Sequence, residues 1–470
     1  MKKSMIAITM VAILSLNSFA DSKIPVLVMD SGTDFNHEKL GPVADINLAE
    51  FNGIEGVDED GNGYIDDIYG WNFVENTGTL VHSEYQPPRY DDVLRFMELI
   101  GKLTVYGKDS LSADEFNFLL TNYQNKEFNA WVNFTGGWAH GSHVGGIIAR
   151  NNDVINMKAI SHIPVGEPPV AQLIEDAARG LRASLTTRSG EEKAPTMEEI
   201  KNYFAYMGMQ QAQGVAKERD YVGELAPRVI NCSFGTENQQ LMASFKQTMV
   251  EQWGFANPTE EDVQEMVNLF VELALLPKDK ELFSKVPNAL IVIAAGNSSE
   301  NLENIVSSPN DVKIDNKLVV AATDNDKNLA VFSCFAINKV DVAVPGVNIL
   351  STYPNGKMGY MSGTSQAAPY AARVATLMLN ENPELTAVEV KDIIMKTVDK
   401  KDWLSDKVIS GGVININRAV QAARYSKSLA NINDAISASM DEIADNITRS
   451  LHLRAPMTDF EKRLAIEFAF

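Results

Sequence analysis

The chain has 470 residues, 41 of them basic and 62 acidic, giving a net charge of −21. So acidic a surface repels phosphate backbones and anionic lipid, which excludes nucleic acid and anionic membranes as partners. Only Cys232 and Cys334 are present, so no disulfide scaffold holds the fold. Both lie in apolar surroundings and are expected as two buried thiols rather than a pair.

In chain order, Lys2 and Lys3, an apolar stretch over residues 5–16 and Ser18-Phe19-Ala20 have the form of a secretory leader cut after Ala20. The stretch is too short to span a bilayer comfortably, and no cysteine marks a lipid at the cut. An exported product is expected, periplasmic or secreted and bacterial in style, with no stable membrane anchor. Removing the leader takes two lysines and no acids, leaving 39 basic against 62 acidic residues, or −23.

Residues 24–29 are apolar, broken only by Pro25, and predict a buried parallel strand. Asp30 then sits at the carboxyl edge of a sheet, where open α/β folds place their sites. A lone Asp-Ser-Gly is more often a solvated turn, so this residue needs support from elsewhere.

Asp58, Asp60, Asn62 and Asp66 fall at positions one, three, five and nine of an EF-hand-like loop, with Gly63 at six and Ile65 at eight. That spacing suits a structural calcium ion. Against it, the twelfth position is Tyr69 rather than a bidentate glutamate, and no helix signal precedes the loop. A solvated turn, with Asn and Gly in left-handed conformations, is the alternative.

The 110 residues from Asp30 to His140 leave space for an insertion at about 75–133. Within it, residues 92–106 carry Val93, Phe96, Met97 and Ile100 at helical spacing, and Ser112 with Glu115 forms a capping box for a second helix. A helical hairpin beside the site is expected.

His140 is flanked by Gly136, Gly137, Gly141, Gly145 and Gly146 and followed by Ile147-Ile148-Ala149. Small residues before an apolar run predict a helix packed tightly on a sheet, with His140 at its amino end. The positive helix end would help keep the ring a neutral base. His140 and His143 as two metal ligands is the alternative, but His37, His82, His162 and His452 supply no comparable third. His143 is expected as a structural, hydrogen-bonded residue.

A second expansion covers about 166–195, after which Thr196 and Glu199 cap a helix running past Ala216. A third covers about 236–287, where Thr259 begins a helix with Val263, Met266, Val267 and Phe270 on one face. Between these expansions lies the segment from Val229 to Gly235, which includes Ser233 and Phe234. Residues 290–295 form an apolar strand leading to Gly296-Asn297. An amide side chain there can serve as oxyanion donor, although Gly-Asn alone is a common turn.

Ser365 lies in Gly363-Thr364-Ser365-Gln366-Ala367-Ala368-Pro369, ahead of a helix over residues 370–379. Glycine permits a sharp turn, and a serine at a helix start faces free amides that favour negative charge. A serine so placed is otherwise only an N-cap. Thr386 with Glu389 caps a further helix. From 426 to 470, Leu429, Ile432, Ile436, Met440, Ile443 and Ile447 recur at heptad-like spacing, and this helical extension is expected to pack back on the rest of the chain rather than on a partner.

Asp30, His140 and Ser365 together supply an acid, a base and a hydroxyl. A serine hydroxyl is a poor nucleophile near neutrality and needs an imidazole to take its proton and a carboxylate to orient that imidazole. The order Asp, His, Ser and the lack of a GxSxG elbow at Ser365 disfavour an α/β-hydrolase esterase.

With their flanks, VLVMDSG, HGSHVGGIIA, AAGN and SGTSQAAP, these segments resemble the subtilisin-like serine peptidase family. VINCSFG and the later NKLVVAAT, DVAVPGVNILST and GGVININRAV are also similar. The resemblance implies a doubly wound, mainly parallel α/β sheet flanked by helices. It implies Asp30, His140 and Ser365 as triad, with Asn297 and the Ser365 amide holding the oxyanion. The backbone of Ser233, Phe234 and Gly235 would line the acyl side of a cleft for protein or peptide substrates, with no cofactor needed for the chemistry.

The expected plan is a leader at 1–20, a catalytic domain at 21–425 carrying the three insertions, and an extension at 426–470. A start at Asp21, nine residues before Asp30, leaves no room for the inhibitory prodomain common in the family. The insertions are expected to border the cleft and restrict access. A silent binding protein on a peptidase fold is the rival, disfavoured because all triad residues are present; a metal hydrolase using His140 and His143 is another. Oligomeric state is left open.

Overall fold

Strands that are apolar at every position need cover on both faces, and the computed structural model places them so. It describes residues 23–166, 170–189, 194–324, 328–429, 431–445 and 456–470; the leader at 1–20 lies outside them. β1 (Ile24–Asp30) is bonded in parallel to β3 (Ile155–Ser161) on one side and β4 (Val229–Cys232) on the other. Outside β3 lies β2 (Gly70–Asn72). Beyond β4 come β5 (Leu290–Ala294), β6 (Lys317–Asp324), β8 (Val342–Pro345) and β12 (Gly412–Val413), all parallel.

Short antiparallel strands, β7 (Asn328–Leu329) on β6 and β11 (Asp399–Lys400) on β12, complete a ten-stranded sheet. β9 (Ile349–Tyr353) and β10 (Lys357–Met361) form a separate hairpin. The sheet therefore grows from β1 in both directions, and its switch point lies between β1 and β4. Ligand crevices open at such a point, outside the carboxyl ends of the strands. Register pairs Met29 with Cys232, which brings Asp30 level with Ser233.

Val26 and Val28 of β1 face one apolar layer, Leu27 and Met29 the other. The first layer is spanned by the helix Thr364–Glu381, whose Ala367, Ala368, Ala371, Ala372 and Ala375 let it lie close on the sheet. Cys232 and Cys334 are free buried thiols in the second layer.

The insertion after β2 forms the helices Tyr90–Tyr106 and Ala113–Tyr123, with the Ser112 and Glu115 capping box in place. They share a core with the His140 helix. Val170–Ser189, Met197–Gly214, Asn238–Glu251 and Glu260–Phe270 close around a fourth core, so the second and third expansions pack as one helical layer.

Two expectations are corrected. The His140 helix spans Lys126–Ala149, capped by Asn125, so His140 lies in its interior and not at its amino end. The tight packing expected of the small residues is seen: a side chain at Gly141 would collide with the Gly32 backbone, and one at Gly146 with Ser351 and Thr352. The heptad after 426 does not form one stripe either. Its helix is only Ile432–Glu442, with Ala435, Ile436 and Ser439 buried while Leu429 and Met440 are exposed. It lies on the helix Ile416–Tyr425, and Ile447 falls outside the described residues.

Candidate active site

Asp30 ends β1 fully buried, and its Oδ1 lies 2.7 Å from His140 Nδ1. The Ser31 amide donates to the same oxygen at 2.8 Å. Oδ2 has no hydrogen-bond partner among the described residues, so the ring and that amide are what hold this carboxylate.

Ser31, which sequence reasoning passed over, fixes the helix beside it. Its hydroxyl donates to the Gly137 carbonyl at 2.7 Å and accepts from the Gly141 amide at 3.3 Å. An α-helix joins that pair directly, so the serine is inserted into the ladder at the turn that carries His140. Thr33 bonds the Gly141 carbonyl and the Asp34 amide bonds Ser142 Oγ, which pins the strand end to the helix.

Ser365 is the second residue of Thr364–Glu381 and is 5% exposed. Pro369 has no N–H to return to the Ser365 carbonyl. Ser233 Oγ–H fills that gap at 3.1 Å, itself held by Asn231 Nδ2–H at 2.9 Å. Ser365 Oγ–H in turn donates to the Ser233 carbonyl at 3.1 Å, not to His140. The structure thus bonds Asp30 to His140 and ties Ser365 to the end of β4.

Asn297 follows Gly296, whose φ of +112° is open to glycine and strained for other residues. Its Oδ1 accepts from the Thr364 amide and hydroxyl, each at 2.9 Å. With the oxygen so engaged, the Nδ2 amide group makes no hydrogen bond among the described residues. The Phe234 ring lies 4.9 Å from the His162 ring, tilted 37° to it, and His162 Nδ1 lies 2.6 Å from Glu218 in a buried pair that nothing in the sequence signalled. A side chain at Gly235 would press on the Ser308 carbonyl.

His143 is wholly buried one turn past His140, with Nε2 3.0 Å from the Ile349 carbonyl. Burial first, and the charge of His140 second, hold its ring down at about 3. It is a neutral, structural residue. The unfolded ring takes a proton near pH 6.5 that the fold refuses until about 3, so this stability is whole above 6.5 and drains as pH falls. His143→Gln keeps an N–H donor and does not titrate. Urea unfolding at pH 6.5 and 4.5 should show the parent losing about 2 to 3 kcal/mol more than the variant. Equal losses would contradict the assignment.

The acidic loop is built differently from the expected spacing. Asp58 spends its carboxylate on the amides of Gly61 and Gly63, and Asp66 on that of Gly56. Asn62 bridges Asp60 and Asp67. Of the four expected ligands, only Asp60 joins the group of carboxylates that converges, with Glu50 and Asp67 to within 4.8 Å. Glu50 comes from a short helix, Leu48–Asn52, that the sequence did not signal.

A model of the subtilase family matches residues 21–419. Subtilisin-like protease 1 of Plasmodium berghei (strain Anka) is 26% identical over 420 residues, 88% of this chain and 52% of that protein. Subtilisin DY of Bacillus licheniformis is 37% identical over 134 residues, 28% of this chain and 47% of that protein. A solved cold adapted subtilisin-like serine proteinase has a TM-score of 0.41 at 17% identity, with 84% of this chain and 90% of that one covered. The chain spans about half the length of the first curated relatives it matches. Since the family model runs from before Asp30 to beyond Ser365, across most of the sequence, the chain belongs to the subtilase family.

Proposed function

We propose that the chain is an exported serine endopeptidase that hydrolyses peptide bonds through an acyl-enzyme. The observation that carries this reading is the buried 2.7 Å contact of Asp30 with His140 at the switch point, with Ser365 heading its own helix and bonded to Ser233 at the end of the strand next to that of Asp30. Rotation of the Ser365 side chain away from the Ser233 carbonyl presents its hydroxyl to His140. His140 takes the proton as Oγ attacks the scissile carbonyl, then returns it to the leaving amine, while Asp30 stabilises the imidazolium. Asn297 Nδ2 and the Ser365 amide receive the oxyanion. The backbone of Ser233, Phe234 and Gly235 holds the acyl half of a protein or peptide substrate as an added strand.

A fluorophosphonate should label Ser365 in the parent and leave Ser365→Ala untouched, and a chelator should spare activity. Cleavage-site profiles of the two proteins then give specificity. Activity that survives in Ser365→Ala would end the reading. Export rests on the leader at 1–20; among the described residues no helix is long and apolar enough to cross a membrane.

Glu50, Asp60 and Asp67 offer hard oxygen ligands, the donor type calcium takes, and a structural ion there would tie the loop to the helix Leu48–Asn52. Calcium at a hundred times its Kd should stabilise the chain by about 2.7 kcal/mol, read as a rise in Tm. Asp67→Asn should abolish the rise. A Tm indifferent to millimolar calcium rejects the site.

A further inference from the structure

We propose that residues 459–470 close the leaving-group half of the substrate cleft in cis, an inference that rests on Ser365 being the nucleophile. The residue that protonates the leaving amine must face it, so the far half of a substrate passes over the His140 helix and the stretch just before Ser365. Phe470 lies there. Its amide donates to the Ser362 carbonyl at 2.8 Å, three residues before the nucleophile. Such a main-chain bond is what an extended peptide makes when it adds to an edge.

Two glycines give the segment its room. A side chain at Gly363 would collide with the Phe470 backbone oxygen, and one at Gly136 with the Phe470 ring. Gly136 precedes His140 by one turn, on the same face of the helix. Gly363 has a φ of 160°, an extended value open to any residue, so it is the approach of Phe470 that demands glycine there.

The helix Asp459–Glu467 delivers this strap, with its start fixed by the Thr458 and Glu461 capping box. Leu464 and Phe468 are buried, and the Phe468 ring meets Phe96 edge-on at 5.3 Å and Tyr123 at 6.4 Å. Tyr123 also bonds Glu467 and packs on Phe460. Phe96 and Tyr123 belong to the insertion helices Tyr90–Tyr106 and Ala113–Tyr123, so the insertion is the platform and residues 468–470 are the stopper.

A substrate that continues past the scissile bond must displace Phe470, whereas one ending at a small leaving group need not. The test compares the parent, Phe470→Ala and a chain lacking residues 457–470. Substrates are a peptide running four residues past the cut and an anilide with the same acyl half; fluorophosphonate labelling of Ser365 reports a folded site. Phe470→Ala should raise kcat/KM on the long peptide on the order of tenfold and on the anilide less than about twofold, since apparent activity scales with the open fraction. A synthetic peptide of residues 457–470 should inhibit the truncated chain competitively. Equal long-peptide rates in parent and Phe470→Ala, with labelling intact, overturn the strap alone. Absence of labelling in every form overturns the serine reading beneath it.

Discussion

Ser365→Ala should lower kcat by about a millionfold, a magnitude carried over from subtilisin, while KM for a peptide substrate changes little. The hydroxyl is needed only once the scissile carbonyl is already held, so its loss falls on the transition state and not on binding. His140→Ala should cost about as much, and the double variant no more than either, because base and nucleophile act as a unit. Asp30→Asn should cost less, roughly ten-thousandfold. Its side-chain amide can present N–H to the ring nitrogen that the carboxylate now accepts from, which selects the wrong tautomer. Steady-state rates on one fluorogenic peptide, with the labelled fraction measured by mass spectrometry, decide it. A Ser365→Ala rate above about one per cent of the parent would mean that hydrolysis proceeds elsewhere.

How far the sequence foretold the molecule depended on the range of the interactions involved. Strands covered on both faces appear as apolar runs, so β1 and β5 were legible together with the residues at their ends. Capping boxes are satisfied within four residues, and those of Ser112, Thr196 and Thr386 form as expected. Packing partners were not legible. An amphipathic face states that it is buried but not against what, which is why the helices Val170–Ser189 and Glu260–Phe270 gave no sign of sharing a core. At the His140 helix the tight packing read from the glycines holds at Gly141 and Gly146, but the helix start did not follow from them, since a close approach is compatible with any position along a helix.

The site shows the same division. Asp30, His140, Ser365 and Asn297 became candidates from their segments taken together. Ser31, Glu218 and Phe470 did not, since each acts through contacts with residues far away in the chain. In the acidic loop, spacing alone pointed to Asp58 and Asp66, yet both are consumed by amides of their own turns. The carboxylates that converge include Glu50, which lies outside the loop altogether and itself accepts from the loop amides of Glu59, Asp60 and Asp66.

Asn297→Leu should lower kcat a hundred- to a thousandfold, about 2.7 to 4 kcal/mol, with KM nearly unchanged. Leucine keeps the shape and removes both the uncommitted Nδ2 donor and the Oδ1 acceptor that holds Thr364. Because Oδ1 is clamped by both donors of Thr364, the amide is oriented before substrate arrives, and such preorganisation is what gives an oxyanion donor its value. Thr364→Val should therefore act through Asn297. It deletes the hydroxyl's bond to Asn297 Oδ1 and the one it accepts from the Gly296 amide, and keeps the Thr364 amide bond, so the orientation loosens and kcat should fall by about tenfold. In Asn297→Leu the Thr364 substitution should add little, since nothing remains to be oriented. The pH dependence of kcat should stay that of the parent in all three, as no titrating group is altered. A loss that appears in KM instead would assign Asn297 to binding the ground state, and additive losses in the double variant would separate Thr364 from it.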